Sequence, residues 1–171
     1  MAKILIAYYS RKGQNYVNGT IKNLAKGNTE IIAEMIQKIV GGELFEIDTV
    51  KNYPVDYTEC TEVAKVELRQ KARPKLKNYL ESLDAYDKIF LGYPIWWSIS
   101  PMAVSTFLEH YDFSGKKFFP FATHEGSGLG GSVNYIKKIC PKAEVFDGLA
   151  IHGAEANQAF AQVERWDKNF S

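Results

Sequence analysis

Cysteine is scarce in this chain: 171 residues hold only Cys60 and Cys140, far apart in sequence. Two distant thiols imply no disulfide framework, so an ordinary hydrophobic core must hold the fold. An excess of one charge sign is missing too. Twenty-one Lys and Arg stand against 20 Asp and Glu, a formal net charge of +1. That balance argues against the strongly basic face of a nucleic-acid binder and against an acidic, disordered tail. No apolar stretch approaches the ~18 residues of a membrane span. The run from Met1 to Tyr9 lacks the charged start, long apolar stretch and small-residue cleavage site of a signal peptide. The expectation is a cytoplasmic monomer that uses neither nucleic acid nor membrane as a partner. Asn18-Gly19-Thr20 spells a glycosylation sequon, which without secretion is a chance match. Repeats, low-complexity segments and linkers are lacking, so residues 1–171 are expected to form one domain with its own core.

Aromatic residues are what the chain has in surplus: 3 Trp, 10 Tyr and 10 Phe. Their position decides whether they serve only the core or also a flat ligand. Lys3 to Tyr9 is a continuous apolar run, as in a strand buried on both faces. From Thr29, the residues Ile31, Ile32, Met35, Ile36, Ile39 and Val40 recur with helical period until Gly41-Gly42. Leu44 to Ile47 reads as a second strand. Lys51 to Ser82 is polar and helix-prone, with a turn at Asn52-Tyr53-Pro54 and a break at Pro74. Its mixed charges between Glu59 and Lys77 suit a solvated face. Further strands are expected at Asp87 to Tyr93, Lys117 to Thr123 and Glu144 to Ile151. Helices follow from Pro101, around Val133, Ile136 and Ile139, and through Ala156, Ala159, Phe160, Val163 and Trp166. Five alternating βα units predict an α/β three-layer sandwich of the flavodoxin-like type. Its five-stranded parallel sheet has order 2-1-3-4-5, with helices on both faces. Ligands of such sheets bind beyond the carboxyl ends of the strands, near the switch point.

Three loops should meet there. Strand 1 ends at Ser10, and the first helix begins at Gly27-Asn28-Thr29. A helix N-terminus attracts phosphate through its unpaired N–H groups. Ser10, Asn28 and Thr29 add hydrogen-bonding side chains; Asn28 or Thr29 could equally be a plain helix cap. Strand 3 runs into Gly92-Tyr93-Pro94-Ile95-Trp96-Trp97-Ser98. Adjacent tryptophans in a loop are costly to leave wet, and either ring could stack on an aromatic ligand or pack into the core. Strand 4 runs into Thr123-His124-Glu125-Gly126-Ser127-Gly128-Leu129-Gly130-Gly131, whose glycines let backbone N–H groups approach a ligand.

On these residues the sequence resembles the flavodoxin family of FMN-binding proteins, specifically a subgroup with a Tyr-Pro-Ile-Trp-Trp loop. The resemblance runs from Ile4 to about Gly153. It implies FMN bound non-covalently, with phosphate on the first loop and the isoalloxazine between the second and third. The expected cofactor contacts are Ser10, Arg11, Asn15, Asn28, Thr29, Pro94, Ile95, Trp96, Trp97, Thr123, His124, Glu125, Gly126 and Gly128. In most flavodoxins the serine and the Gly-Asn-Thr share one short loop, whereas here Arg11 to Lys26 separate them. Ser10-Arg11-Lys12-Gly13-Gln14-Asn15 partly copies the motif, so two registers compete. The favoured one sets Ser10 and Asn28-Thr29 on either side of the phosphate. Lys12 to Lys26 then loop outwards, and Asn15 and Tyr16 are free to cover the ribityl chain or ring.

Other readings carry less. Gly126 to Gly131 fits G-x-G-x-x-G with Asp147 roughly 20 residues on, but it follows the fourth strand rather than opening a dinucleotide-binding unit. Cys60 lacks the arginine of a phosphatase loop. His110, His124 and His152 have no metal-ligand spacing, and His124 and Glu125 read as polar loop residues rather than acid–base catalysts. The expectation is an FMN electron carrier shuttling low-potential electrons between redox partner proteins. Two alternatives stay open: an FMN-dependent NAD(P)H oxidoreductase acting on quinones or similar acceptors, and a flavin-free interaction module. The rings divide accordingly. Phe90, Phe107, Phe119, Phe121, Phe160 and Trp166 are expected in the core, and Tyr93, Trp96 and Trp97, joined by Tyr16, at the rim.

Overall fold

A computed structural model describes residues 3–170; Met1, Ala2 and Ser171, at the ends of the expected domain, lie outside the described residues. The strands are β1 (Lys3–Tyr8), β2 (Gly13–Val17), β3 (Thr20–Leu24), β4 (Glu43–Glu46), β5 (Tyr86–Pro94), β6 (Lys117–His124), β7 (Glu144–Val145) and β8 (Leu149–His152). The helices are α1 (Asn28–Val40), α2 (Tyr57–Gln70), α3 (Met102–His110), α4 (Ser132–Ile139) and α5 (Phe160–Lys168), with a 3₁₀ turn at Gly153–Gln158. The main sheet is parallel and runs β4-β1-β5-β6, with β7 and β8 both pairing β6 on its outer side. This is the flavodoxin-like α/β sandwich with strand order 2-1-3-4-5, except that the fifth strand is in two pieces.

Successive side chains of a strand point to opposite faces, and here both faces are covered. Leu5, Ala7, Ile89, Leu91, Phe118 and Ala122 pack with Ala103, Val104, Phe107 and Ile136 of α3 and α4. Ile6, Tyr8, Phe90, Phe119, Phe121 and Ile151 pack with Ile32, Ala33 and Ile36 of α1 and Val163 and Trp166 of α5. Double burial is why these strands read as unbroken apolar runs. The expected core rings Phe90, Phe107, Phe119, Phe121 and Trp166 are all buried. Phe160 is not: it opens α5 and is 41% exposed.

The departures from expectation have local causes. Glu144 to Ile151 is not one strand. Phe118 accepts a hydrogen bond from Phe146 N–H, so Pro120, two residues on, faces the same outer side with no N–H to give. At that level the partner strand leaves the ladder, and the next residue, Asp147, has its C=O accepting from Trp166 Nε1. Pro74 does not break α2, which stops three residues earlier with Lys71 in the left-handed region (φ 52°). Lys12 to Lys26 is not an outward loop. It forms the antiparallel β2–β3 hairpin, turned by Asn18 (φ 54°) and Gly19 (φ 86°). Two positive φ values match a type I′ turn, for which Asn-Gly is the strongest short-range signal. The final helix is also divided, into the 3₁₀ turn and α5.

Gly92 fixes β5 against β6. It lies opposite Phe121, and a Cβ there would fall within that side chain's ring atoms. Phe121 is fully buried and cannot swing clear. Gly92→Ala is therefore expected to destabilise the fold by about 2 kcal/mol or more, as overpacking does, read as a lowered urea midpoint.

Candidate functional site

A cavity of about 350 Å³ opens at the carboxyl ends of β1, β5 and β6, the switch point of the sheet. Its floor begins at the first loop. Gly27 precedes α1, and a Cβ there would collide with Ser10 Oγ and the Arg11 carbonyl. The bare glycine therefore lets the first loop lie against the helix start. Ser10 Oγ accepts from Glu30 N–H at 3.0 Å, so the helix is capped by a residue 18 positions upstream of its start. Neither Asn28 nor Thr29 caps it. Asn28 instead lines the cavity. Thr29 is buried, its Oγ1 2.8 Å from Thr123 Oγ1, tying α1 to the end of β6.

The first loop is clamped by Arg11. Its Nε donates to Gln14 C=O at 2.9 Å, and its Nη2 donates to Pro54 and Val55 C=O at 3.0 Å. Gln14 Oε1 accepts from Tyr57 N–H at 2.7 Å, joining β2 to the first turn of α2. Asn15 and Tyr16, side by side on β2, then reach the cavity. Asn15 Nδ2 donates to Arg11 C=O at 2.7 Å. The Tyr16 and Tyr57 rings stack with centroids 6.0 Å apart and planes 28° from parallel.

The second loop supplies the aromatic wall through a strained turn. Trp96 N–H donates to Ile99 C=O at 2.8 Å, which puts Trp97 (φ 53°) and Ser98 (φ 78°) at the centre of a two-residue turn. Left-handed backbone is costly at both residues, and three contacts hold it. Gly131 N–H donates to Ser98 C=O at 2.8 Å. Gly130 has no Cβ to strike that carbonyl. Trp97 Nε1 donates to Thr61 C=O on α2 at 2.9 Å. The two tryptophans consequently part. Trp96 turns inward, edge-on to Tyr9 and Tyr53. Trp97 stays 45% exposed over the cavity, with Lys65 Nζ 5.3 Å from its ring centre. Tyr93, expected at the rim, is fully buried with its hydroxyl donating to Ser132 Oγ, so it belongs to the core.

The third loop lines the opposite side with Thr123, His124, Glu125 and Ser127. Gly126 N–H donates to His124 Nδ1 at 2.8 Å. That bond requires Nδ1 to be unprotonated. Burial, and then the neighbouring His152, hold the His124 pKa below its ordinary 6.5. Glu125 Oε2 accepts from Asn18 N–H at 3.1 Å, reaching the tip of the hairpin. Gly153 closes the floor: a Cβ there would lie 2.7 Å from Asn28 Nδ2 and 3.1 Å from Glu125 Oε1. The bare glycine lets those two side chains converge.

Ten of the expected contacts thus line one cavity: Arg11, Asn15, Asn28, Pro94, Ile95, Trp96, Trp97, Thr123, His124 and Glu125. Ser10, Thr29, Gly126 and Gly128 are not among its lining residues. Ser10 lines a neighbouring hollow of about 690 Å³. Glu30, Glu46 and Asp48 also line it, together with Arg11, Lys12, Lys26 and Lys77, the last paired with Asp48. One wall escaped the sequence reading. Tyr57, Cys60, Thr61 and Ala64 of α2 face the cavity. Their i, i+3, i+4, i+7 spacing was the available signal, masked by the charged residues around them. Burial raises the pKa of the Cys60 thiol, so it is a neutral part of that wall.

The model of a family described as Flavodoxin matches residues 3–169. Two solved structures are similar over almost the whole chain. A candidate flavoprotein from Bacteroides eggerthii DSM 20697 is 32% identical, with 96% of this chain and 99% of that one covered and a TM-score of 0.72. One from Bacteroides uniformis ATCC 8492 is 30% identical, with 98% of each chain covered and a TM-score of 0.78. A flavoprotein from Lactobacillus acidophilus NCFM, crystallised in complex with FMN, shares the fold at 20% identity, with 92% and 98% covered and a TM-score of 0.67. No curated protein matches the chain.

The His124 bond gives a pH prediction. With its folded pKa below 6.5, the unfolded state binds the proton more readily, so this group's contribution to stability falls as pH drops through 6.5 towards the folded value. An NMR titration is expected to show the His124 ring titrating below 6.5, with the Gly126 amide shifting at the same midpoint.

Proposed function

The chain belongs to the flavodoxin family, and from that premise we propose that it binds FMN without a covalent bond and carries electrons between redox partner proteins. One observation carries the reading: an α1 N-terminus and a set of flat rings lie at one cavity, on the rim of the sheet where strand order reverses. Asn28, Asn15 and the leading N–H groups of α1 suit a phosphate and a polyol chain. Trp97 and the Tyr16–Tyr57 pair offer faces to a tricyclic ring. Thr123, His124 and Ser127 supply polar edges for the ring's carbonyls and nitrogens. The bare carbon of Gly27 lets Ser10 and Arg11 close on the start of α1, and that of Gly153 lets Asn28 and Glu125 converge at the floor.

When bound, the flavin supplies one- and two-electron transfer, and the protein sets its environment. Trp97 would shield one side of the ring from water. Neutral His124, with Nδ1 occupied by Gly126 N–H, retains an N–H at Nε2 to donate to an acceptor. Cys60, Ala64 and the half-buried ring of Tyr57 keep the α2 wall free of formal charge. An apolar wall disfavours added negative charge on a bound ring, which would bias the protein towards low potential. The exposed indole of Trp97 leaves an aromatic edge at the surface for partner contact.

Titrating the ligand-free protein with FMN tests the reading by the yellow absorbance and the quenching of flavin fluorescence. Saturable uptake is expected. An absence of uptake would sink the proposal. Trp97→Ala is expected to weaken binding by up to about tenfold, from a stacking term of about 0.5–1.5 kcal/mol. Steady NADH or NADPH oxidation by the isolated holoprotein with a quinone would replace the carrier reading with an oxidoreductase.

A further inference from the structure

We infer that Glu125 is a positioning residue that latches the β2–β3 hairpin across the cavity, and that this hairpin is the flap past which a flat ligand enters and leaves. The inference rests on the FMN reading for the identity of the ligand. The hairpin is fastened at two points on opposite sides of the site. At its base, Arg11 and Gln14 bind it to Pro54, Val55 and Tyr57. At its tip, Asn18 N–H donates to Glu125 Oε2 on the third loop. Between these points Asn15 and Tyr16 line the cavity. A line from base to tip therefore crosses the site from the α2 wall to the third loop.

The two fastenings are unequal. The base has three bonds from Arg11 and one to Gln14, most of them partly buried. The tip has an exposed bond to one carboxylate, with Val17 the one buried side chain beside it. Behind it, β3 is nearly all exposed, including half of Ile21. A lone two-stranded ribbon is marginally stable in water, so its position over the cavity depends on what it is tied to. Glu125 is well placed to tie it. Its other oxygen, Oε1, lies over Gly153 beside the Asn28 amide, so the side chain is set between the cavity floor and the hairpin tip. Opening at the tip with the base held would swing Tyr16 away from Tyr57 and uncover the ring side of the cavity.

The test compares FMN release from the holoprotein by the rise in flavin fluorescence on dilution. Glu125→Ala is expected to release FMN about fivefold faster, and Glu125→Gln, which keeps an acceptor oxygen, to lie close to the wild type. In a Tyr16→Ala background, Glu125→Ala should add nothing further, because it acts through the ring it positions. In the ligand-free protein, amide exchange at Asn18 should quicken in Glu125→Ala while the urea midpoint stays unchanged. Equal release rates, or an undiminished Glu125 effect without Tyr16, would overturn the inference. A wild type that takes up no FMN would instead remove the proposed function and the flap's ligand, while exchange at Asn18 would still decide the latch.

Discussion

The site hangs from the pairing of β5 on both its edges. β5 is zipped to β1 from Lys88 to Gly92 and to β6 from Lys88 to Pro94. Beyond the strand, Ile95 N–H still donates to Thr123 C=O at 2.9 Å. Tyr9 N–H likewise donates to Gly92 C=O at 3.0 Å, which fixes where the first loop departs. The three rim loops are therefore placed relative to one another by backbone hydrogen bonds, before any side chain contributes. Gly92 is the condition for this spacing, since the Phe121 side chain occupies the room a larger residue would need. A change at that glycine reaches the rim through the ladder, not through contact with a ligand.

Much of this was legible because burial leaves a signature. β1, β5 and β6 are covered on both faces, so they read as continuous apolar runs with obvious limits. The region of the cavity was legible for the same reason, since the strand order follows from the βα alternation. What escaped was set by single residues whose partners lie far off in the chain. Pro120 reads as an ordinary strand residue until one knows that its missing N–H faces β7 and β8. Asn18-Gly19 matched a sequon, yet its physical content is a type I′ turn. Ser10 Oγ caps α1 from 18 residues upstream of its start, a pairing no local pattern announces. The cavity face of α2 is hidden because Glu59 and Glu62 interrupt its residues and the polar face masks the other one.

The second loop shows why adjacent tryptophans can serve different purposes. Each left-handed residue other than glycine costs about 1–2 kcal/mol. Trp97 and Ser98 adopt that region consecutively, so the turn would not persist on local preference. It is held by Gly131 N–H, by the space at Gly130 and by the indole bond to Thr61. Neutral hydrogen bonds are worth about 0.5–1.5 kcal/mol each, which is the scale of the cost they offset. The outcome is a division of labour: Trp96 is driven into the aromatic cluster with Tyr9 and Tyr53, and Trp97 is lifted onto the cavity. An extended backbone at the same residues would send the two side chains to opposite faces and would not bring the Trp97 indole to Thr61.

The cavity thus has walls of different firmness. The α2 wall faces the cavity with the buried Cys60 and Ala64, and the Trp97 turn is tied to it at Thr61. The third loop is held at Thr123 by the buried bond to Thr29 and at Gly131 by Ser98. The hairpin has less backing: Val17 is its one buried residue, β3 is nearly all exposed, and the tip ends in one exposed bond to Glu125. Local opening follows such gradients, starting where buried contacts are fewest. A site with one soft wall can admit a ligand larger than its resting mouth and still grip it between firm surfaces. The insertion that separates Ser10 from Asn28 therefore adds a movable side to a site whose other walls come from the sheet and its helices.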